Sequence, residues 1–135
     1  METEVRPEEA PRAEAGQTVL VVEDEEVVRG LLVEILTGLG YRALEAADGP
    51  SGLRILQERR QIDLLVTDVG LPGINGRQLA DQARGGRPGL RVLFITGYAE
   101  GATLAQGFLD PGMAMLTKPF AVDVLKRKVR EVLAD

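Results

Sequence analysis

Five polar residues follow short apolar runs along this chain, and their types are suited to holding a phosphoryl group. They are Glu23, Asp24, Asp68, Thr96 and Lys118. Carboxylates are ligands for Mg²⁺, and a lysine ammonium and a threonine hydroxyl can bind phosphoryl oxygens. An aspartate can also carry a phosphoryl group covalently. Together these residue types can hold a phosphoryl group beside a hard metal ion while a carboxylate attacks it in line.

Each residue also has a commonplace alternative when it is taken singly. Glu23 and Asp24 could be first-turn acids that a helix macrodipole stabilises, and Asp68 could simply form a turn. Thr96 could cap a helix, and Lys118 could be an ordinary solvated lysine. All of these alternatives would have to hold together while every residue lies at the same edge of one sheet. A common location at that edge therefore favours a shared site.

The elements that position these residues are five predicted strands. The apolar runs lie at residues 18–22, 41–46, 63–67, 91–96 and 113–117. The first and third are apolar throughout, which indicates strands buried on both faces of a parallel sheet. The second is less apolar and is predicted to lie nearer an edge. The turn Gly-Leu-Pro-Gly at residues 70–73 stops the third strand.

Helical spacing of apolar residues follows each strand. The first helix is predicted to bury Val28, Leu32, Ile35, Leu36 and Leu39, with Val27 and Leu31 widening that face. A fourth helix is predicted at residues 99–108, although each of its two glycines costs about 1 kcal/mol relative to alanine. Strands that alternate with helices predict an α/β three-layer sandwich with a parallel sheet, in which ligands bind at the carboxyl ends of the strands.

Composition limits the classes of function. The 135 residues are 44% hydrophobic, which suits one domain, and a net charge of -5 disfavours a broad nucleic-acid surface. The chain has no Cys and no His, so any metal site should use oxygen ligands. We see neither a bilayer-spanning apolar run nor a signal-peptide core, and we expect a cytoplasmic protein with no membrane partner. Residues 1–17 are predicted to be a disordered acidic tail or linker, and residues 18–135 the folded domain.

Four segments in order resemble the receiver domain of bacterial two-component response regulators. They are Val-Val-Glu-Asp-Glu (residues 21–25), Asp-Leu-Leu-Val-Thr-Asp (63–68) with Leu-Pro-Gly (71–73) and Asn-Gly (75–76), Phe-Ile-Thr-Gly (94–97) and Thr-Lys-Pro-Phe (117–120). The resemblance covers almost everything beyond the tail. It implies a flavodoxin-like (βα)5 fold with strand order 2-1-3-4-5.

The resemblance also implies a role for each site residue. Asp68 would be the phosphoacceptor, and Mg²⁺ would be bound by Asp24, Asp68, the carbonyl of Gly70 and, through water, Glu23. Once Asp68 is modified, Thr96 would bind a phosphoryl oxygen. Lys118 would pair with Asp68 or with the phosphoryl group, and the bond between Lys118 and Pro119 is expected to be cis.

Three positions depart from the family's usual pattern. Receivers often have an aromatic switch residue three positions before the lysine, where this chain has Met115. The residue after Thr96 is commonly alanine, whereas here Gly97 and then Tyr98 follow. This Phe-x-Thr-Gly-Tyr signature is similar to that of receivers associated with hybrid sensor histidine kinases. Met115 is either a switch residue or part of the core, and Tyr98 or Gly97 is an alternative carrier of the conformational change.

The resemblance leads us to expect a non-enzymatic signalling domain. Its partner would be a sensor histidine kinase or a histidine phosphotransfer protein, and it would signal through protein contacts without a DNA-binding output domain. It would be a monomer or a weak dimer through the face of the predicted fourth and fifth helices. One alternative is a pseudo-receiver that is never phosphorylated. Another is an aspartyl-phosphate hydrolase, but Gly70 stands where such an enzyme has its second aspartate.

Overall fold

The computed structural model describes residues 16–58, 61–97 and 109–134. The strands are β1 (Thr18–Val22), β2 (Arg42–Ala46), β3 (Leu64–Asp68), β4 (Arg91–Thr96) and β5 (Met113–Thr117). The helices within the described residues are α1 (Glu26–Gly38), α2 (Gly49–Glu58), α3 (Gly76–Gly86) and α4 (Val122–Ala134). The helix predicted at residues 99–108 and residues 1–15 of the predicted tail lie outside this part of the chain.

The five strands form one parallel sheet in the order β2-β1-β3-β4-β5. This order and the flavodoxin-like architecture confirm the fold predicted from the sequence. β1 is completely buried, and only the last residue of β3 and the first residue of β4 are partly exposed. β2 is exposed at several positions because it lies at the edge of the sheet.

Each face of the sheet carries its own apolar core. Side chains alternate between the faces of a strand, so Val19 and Val21 of β1 belong to one core, and Leu20 and Val22 belong to the other. The first core is closed by α1 and α4, and the second by α2 and α3. These two layers of helices fix the sheet, and with it the positions of the residues that follow its strands.

The prediction made the buried face of α1 wider than it is in the structure. Val27 and Leu31 do not extend the buried stripe, since they are 84% and 43% exposed. The rest of the predicted face is confirmed: Leu32, Ile35, Leu36 and, just after the helix, Leu39 are buried in the first core, and the half-buried Val28 packs against it. The helix meets the sheet on one side and α4 along one flank, so a side chain on the outer flank has no described element to contact.

Three predicted strand boundaries, one in β2 and two in β3, are shifted by one residue. Tyr41 precedes β2 but is buried in the first core, and this burial raises the pKa of its phenol. Asp63 likewise precedes β3, and its Oδ2 accepts hydrogen bonds from the Thr18 amide at 2.7 Å and from Gln61 Nε2 at 3.1 Å. At its other end β3 includes Asp68, so the aspartate is held by the sheet itself.

Candidate functional site

The ends of four neighbouring strands bring the predicted site residues to one edge of the sheet. Asp68 is the last residue of β3, and Thr96 is the last residue of β4. Glu23 follows β1 directly, and Lys118 follows β5 directly. The strands are parallel and in register, with Asp68 opposite Ile95, so these ends lie side by side. The fold therefore gathers residues that are far apart in the sequence.

Glu23, Asp24 and Asp68 form an acidic cluster, in which one carboxylate oxygen from each lies within 4.8 Å of the others. The Glu23 side chain is 1% exposed and that of Asp68 is 12% exposed, whereas Asp24 faces solvent. Such a cluster is buried at its base and open to water on one side. This arrangement suits Mg²⁺, which keeps several waters and takes few protein ligands.

The electrostatics of Glu23 also fit a cation. Burial is the main cause that raises the pKa of its carboxyl, and the charge of Asp68 raises it further. Its Oε2 accepts a hydrogen bond from the Glu25 amide at 3.0 Å, but its buried Oε1 has no hydrogen bond. Lys118 Nζ lies 3.4 Å from this oxygen as an ion pair, and a bound cation would offset the remaining cost of burying the charge.

Lys118 places one ammonium among three carboxylates. Its Nζ lies 3.4 Å from Glu23 Oε1, 3.6 Å from Asp68 Oδ2 and 3.6 Å from Glu25 Oε1. Burial alone would lower the pKa of Lys118, but the charges of Asp68 and Glu23 outweigh it, and the net shift is upward. The ammonium therefore stays protonated beside Asp68.

Thr96 contributes a buried hydroxyl that makes no hydrogen bond within the described residues. The residue as a whole is fully buried. Its carbonyl oxygen accepts a hydrogen bond from the Lys118 amide at 2.8 Å, which ties the end of β4 to the residue after β5. The hydroxyl can thus donate to a ligand at this edge without first breaking another bond.

The segment after Asp68 is fixed by backbone contacts. The Gly70 amide donates to Asp68 Oδ1 at 3.1 Å, and the Gly76 amide donates to the Val69 carbonyl at 3.1 Å. A Cβ added at Gly76 would clash with the Asp68 carbonyl oxygen, so the start of α3 can approach β3 this closely only with glycine at this position. The observed Gly70 contact uses its amide, and ligation through its carbonyl stays a prediction.

Comparison of the whole sequence with protein families identifies the family of this chain. The model of the response regulator receiver domain matches residues 19–130, which is most of the chain. The chain belongs to the response regulator receiver domain family. The resemblance drawn from its motifs is confirmed, while its assignment to the Phe-x-Thr-Gly-Tyr subset stays a prediction.

Similar receivers occur both inside sensor kinases and as short proteins. The chain is 36% identical over 131 residues to the sensor kinase CckA of Brucella abortus, covering 96% of this chain and 14% of the kinase. It is 32% identical to the response regulator receiver protein CpdR of the same organism, covering 85% of this chain and 95% of that protein. The chain thus spans a small part of one relative and nearly all of another.

Solved structures share the fold of this receiver. The receiver domain of the hybrid histidine kinase CckA is 37% identical, with a TM-score of 0.72 and coverage of 86% of this chain and 98% of that one. The chemotaxis protein CheY4 of Vibrio cholerae is 26% identical, with a TM-score of 0.78 and coverage of 88% and 100%. Within the described residues, this receiver has no helix long and apolar enough to cross a membrane.

Of the three candidate switch residues, the structure describes Met115 and Gly97 but not Tyr98. Met115 is half-buried in β5 and packs against the core that contains Phe94, which agrees with the interpretation of a core residue. Gly97 is described and half-buried, and Tyr98 lies outside the described residues. The bond between Lys118 and Pro119 is cis.

Two residues near the receiver's acidic cluster were missed by the sequence analysis. Glu25 was noted only as part of a motif, although its carboxylate lies near the ammonium of Lys118 and its amide supports Glu23. Arg29 was not considered, yet its Nη1 donates to the Glu23 carbonyl oxygen at 2.8 Å. No sequence signal marked Arg29, because its contact depends on the direction in which the loop leaves β1.

Proposed function

We propose that this receiver accepts a phosphoryl group on Asp68 from a phosphohistidine and signals through the resulting change in its surface. The observation that carries the proposal is the position of Lys118 Nζ, within 3.6 Å of Asp68 and 3.4 Å of Glu23 in the acidic cluster. A protonated amine beside a partly exposed carboxylate is suited to an incoming dianionic group. The donor would be a sensor histidine kinase or a histidine phosphotransfer protein.

The proposed transfer is an in-line displacement at phosphorus. An oxygen of Asp68 forms a bond to phosphorus while the bond from phosphorus to the donor's imidazole nitrogen breaks, and that nitrogen keeps the electron pair. Lys118 offsets negative charge on the phosphoryl oxygens. The buried hydroxyl of Thr96 donates a hydrogen bond to one of these oxygens once Asp68 is modified.

Receiver domains bind Mg²⁺ at an acidic pocket, and we propose Asp24, Asp68 and the Gly70 carbonyl as its protein ligands here, with Glu23 acting through water. The buried Glu23 Oε1 without a hydrogen bond and the all-oxygen donor set support this assignment. When bound, the ion would neutralise phosphoryl oxygens and reduce repulsion between the carboxylates. Asp24 and Glu23 keep their charges directed at that position, and Asp68 remains free to attack with its second oxygen.

The change of surface would begin at Thr96 and Lys118. Thr96 is the last residue of β4, and its carbonyl oxygen accepts a hydrogen bond from the Lys118 amide. Movement of either residue would therefore displace the ends of both β4 and β5. A phosphoryl group that binds both side chains would stabilise one arrangement of this edge over another. We propose that the partner distinguishes these arrangements by contact with the β4–β5 side of the domain.

Intact-mass measurement after incubation with acetyl phosphate and Mg²⁺ tests the proposal. We expect the mass of one phosphoryl group on the wild type, and none on Asp68→Asn. Asp123→Asn is the matched control, because it removes an exposed carboxylate from α4 and should label normally. Failure of the wild type to label, or equal labelling of Asp68→Asn, would exclude Asp68 as the acceptor.

The pseudo-receiver and the hydrolase make different predictions. A pseudo-receiver has no need of the acidic pair Glu23 and Asp24, and it should show no Mg²⁺ binding at millimolar concentration. A hydrolase needs an acid for the leaving group, and Gly70 offers none. Sustained turnover of a generic phosphoester by the wild type would favour the hydrolase over the receiver role.

A further inference from the structure

Arg29 joins the acidic loop to the edge strand. It lies in the first turn of α1, where its Nη1 donates to the Glu23 carbonyl oxygen at 2.8 Å and its Nε donates to Glu45 Oε1 at 3.0 Å. Glu45 is in β2, so one guanidinium connects the loop after β1 to the neighbouring strand. The Glu23 amide also donates to the Ala46 carbonyl, at 3.1 Å. Both backbone polar groups of Glu23 are thereby fixed.

The other contacts of this loop hold its side chains: Glu23 Oε2 accepts from the Glu25 amide, and Lys118 pairs with Glu23 and Glu25. Glu25 is the N-cap residue of α1, but its side chain makes no capping hydrogen bond. Asp24 faces solvent. The Glu23 carboxylate is thus held by its own contacts, and the Arg29 hydrogen bond holds the backbone carbonyl of Glu23, next to Asp24.

We propose that Arg29 is a positioning residue for the cation site, with Glu45 orienting its guanidinium. This inference rests on the proposed function and names a residue that acts through Glu23. Hydrogen bonds behind a metal ligand orient it, and losing them typically weakens metal affinity about 10- to 100-fold. Arg29 supports the carboxylates from behind without contacting the ion.

The sign of the effect separates positioning from electrostatics. Arg29 is a cation near a cation site, so its charge alone opposes Mg²⁺ binding. If only charge mattered, Arg29→Met would strengthen binding. If Arg29 positions the loop, the same substitution weakens binding despite the loss of repulsion. The two explanations thus predict changes in opposite directions.

The experiment measures the Mg²⁺ dissociation constant by titration calorimetry at fixed ionic strength, with thermal unfolding in metal-free buffer alongside. We expect Arg29→Met to weaken binding about tenfold or more. Arg29→Lys should lie between Arg29→Met and the wild type, because a lysine can reach only one of the two acceptors. Arg54→Met is the control: it removes one exposed positive charge from α2 and should leave binding unchanged or slightly tighter.

Glu45→Gln separates positioning from a merely structural role. Glu45 is 54% exposed, so we expect its amide variant to unfold at the wild-type temperature. Its Mg²⁺ affinity should nevertheless fall a few-fold, because Arg29 loses its ionic partner on β2. This variant also keeps the inference testable should Arg29→Met fail to fold.

Equal or tighter Mg²⁺ binding by Arg29→Met or Arg29→Lys would overturn the role of Arg29. If Arg29→Met does not fold, unchanged Mg²⁺ affinity in Glu45→Gln would overturn it. In that case a wild type that binds Mg²⁺ leaves the proposed function standing. A wild type that does not bind Mg²⁺ would instead overturn the proposed function, and the role of Arg29 with it.

Discussion

At the scale of single residues, the receiver leaves two buried oxygens without hydrogen bonds at the edge of its sheet. These are Glu23 Oε1 and Thr96 Oγ1. Glu23 Oε1 has an ion pair with Lys118 at 3.4 Å, whereas Thr96 Oγ1 has no partner among the described residues, and a buried polar group without a partner costs about 1–3 kcal/mol. Both atoms lie in residues that the proposed function assigns to ligand binding. The domain without ligand is therefore less stable than it would be if these oxygens had hydrogen-bond partners, and a bound ligand would recover part of that stability.

Thr96→Val should make the domain more stable and less able to respond to phosphorylation. Valine keeps the shape of the side chain and removes the unpaired hydroxyl, so we expect the free energy of unfolding to rise by about 1 kcal/mol. The phosphoryl group on Asp68 should at the same time lose the hydrogen bond that the Thr96 hydroxyl would donate to it. Urea unfolding measures the first effect, and acetyl phosphate labelling followed by intact mass measures the second.

Thr67→Val is the matched control for this substitution. Thr67, the next-to-last residue of β3, is equally buried, but its Oγ1 donates to the Asp68 carbonyl oxygen at 3.1 Å. Removing a hydroxyl that has a partner should destabilise the domain by about 1 kcal/mol. A Thr96→Val variant that is as unstable as Thr67→Val would show that the Thr96 hydroxyl is satisfied in solution.

At the scale of elements, the start of α3 is fixed by a reciprocal cap close to Asp68. Asn75 Oδ1 accepts from the Gln78 amide at 2.9 Å, and Gln78 Oε1 accepts from the Asn75 amide at 3.0 Å. Asn75→Ala should lower the free energy of unfolding by about 1 kcal/mol, as measured by urea unfolding. Asn75→Ser keeps a capping oxygen and should lose much less. Equal losses in the two variants would argue against the cap.

The start of α2 supplies a test of pH dependence. Asp48 Oδ1 accepts from the Ser51 amide at 2.8 Å, and this hydrogen bond lowers the pKa of Asp48 below its usual 3.8. A carboxyl whose pKa is lower in the folded state stabilises it above the unfolded pKa, and loses that effect as the pH falls through the folded pKa.

Asp48→Asn keeps the capping oxygen but does not titrate. Between about pH 5 and the acid transition, its free energy of unfolding should therefore fall less steeply than that of the wild type. Urea unfolding at a series of pH values measures both slopes. Parallel slopes for the two proteins would mean that the Ser51 contact does not favour the charged form.

The strands and helices were largely predictable from the sequence, but the packing around individual side chains was not. Continuous apolar runs identified β1 and β3 as buried strands of the sheet, and the polar residues at the strand ends were predicted to lie together, as they do. The helical period of α1 was also correct, but Val27 has the same residue type as a core valine and is 84% exposed. Periodicity shows which residues share a face, and only packing shows where that face ends. The contact of Arg29 depends on a loop path that no local pattern encodes.

At the scale of the whole molecule, the parallel sheet concentrates negative charge at one edge. Glu23, Asp24 and Asp68 come from two separate strands, and Lys118 from a third offsets only part of their charge. The helices on both faces hold these strand ends in place, so the carboxylates cannot separate without disturbing both cores. The folded state should therefore bind a divalent cation better than the unfolded chain, and binding should stabilise the fold.

This linkage predicts that Mg²⁺ raises the stability of the wild type by mass action. At a concentration about 100-fold above the dissociation constant, the expected gain is about 2.7 kcal/mol, and the unfolding temperature should keep rising with concentration. Asp24→Asn should lose most of this gain, because Asp24 is one of the three clustered carboxylates. In metal-free buffer the same variant should be at least as stable as the wild type, since one of three like charges is gone. Thermal unfolding with and without Mg²⁺ separates the two effects. If Asp24→Asn is destabilised without metal and still gains stability from Mg²⁺, the cation binds elsewhere and Asp24 serves the fold alone.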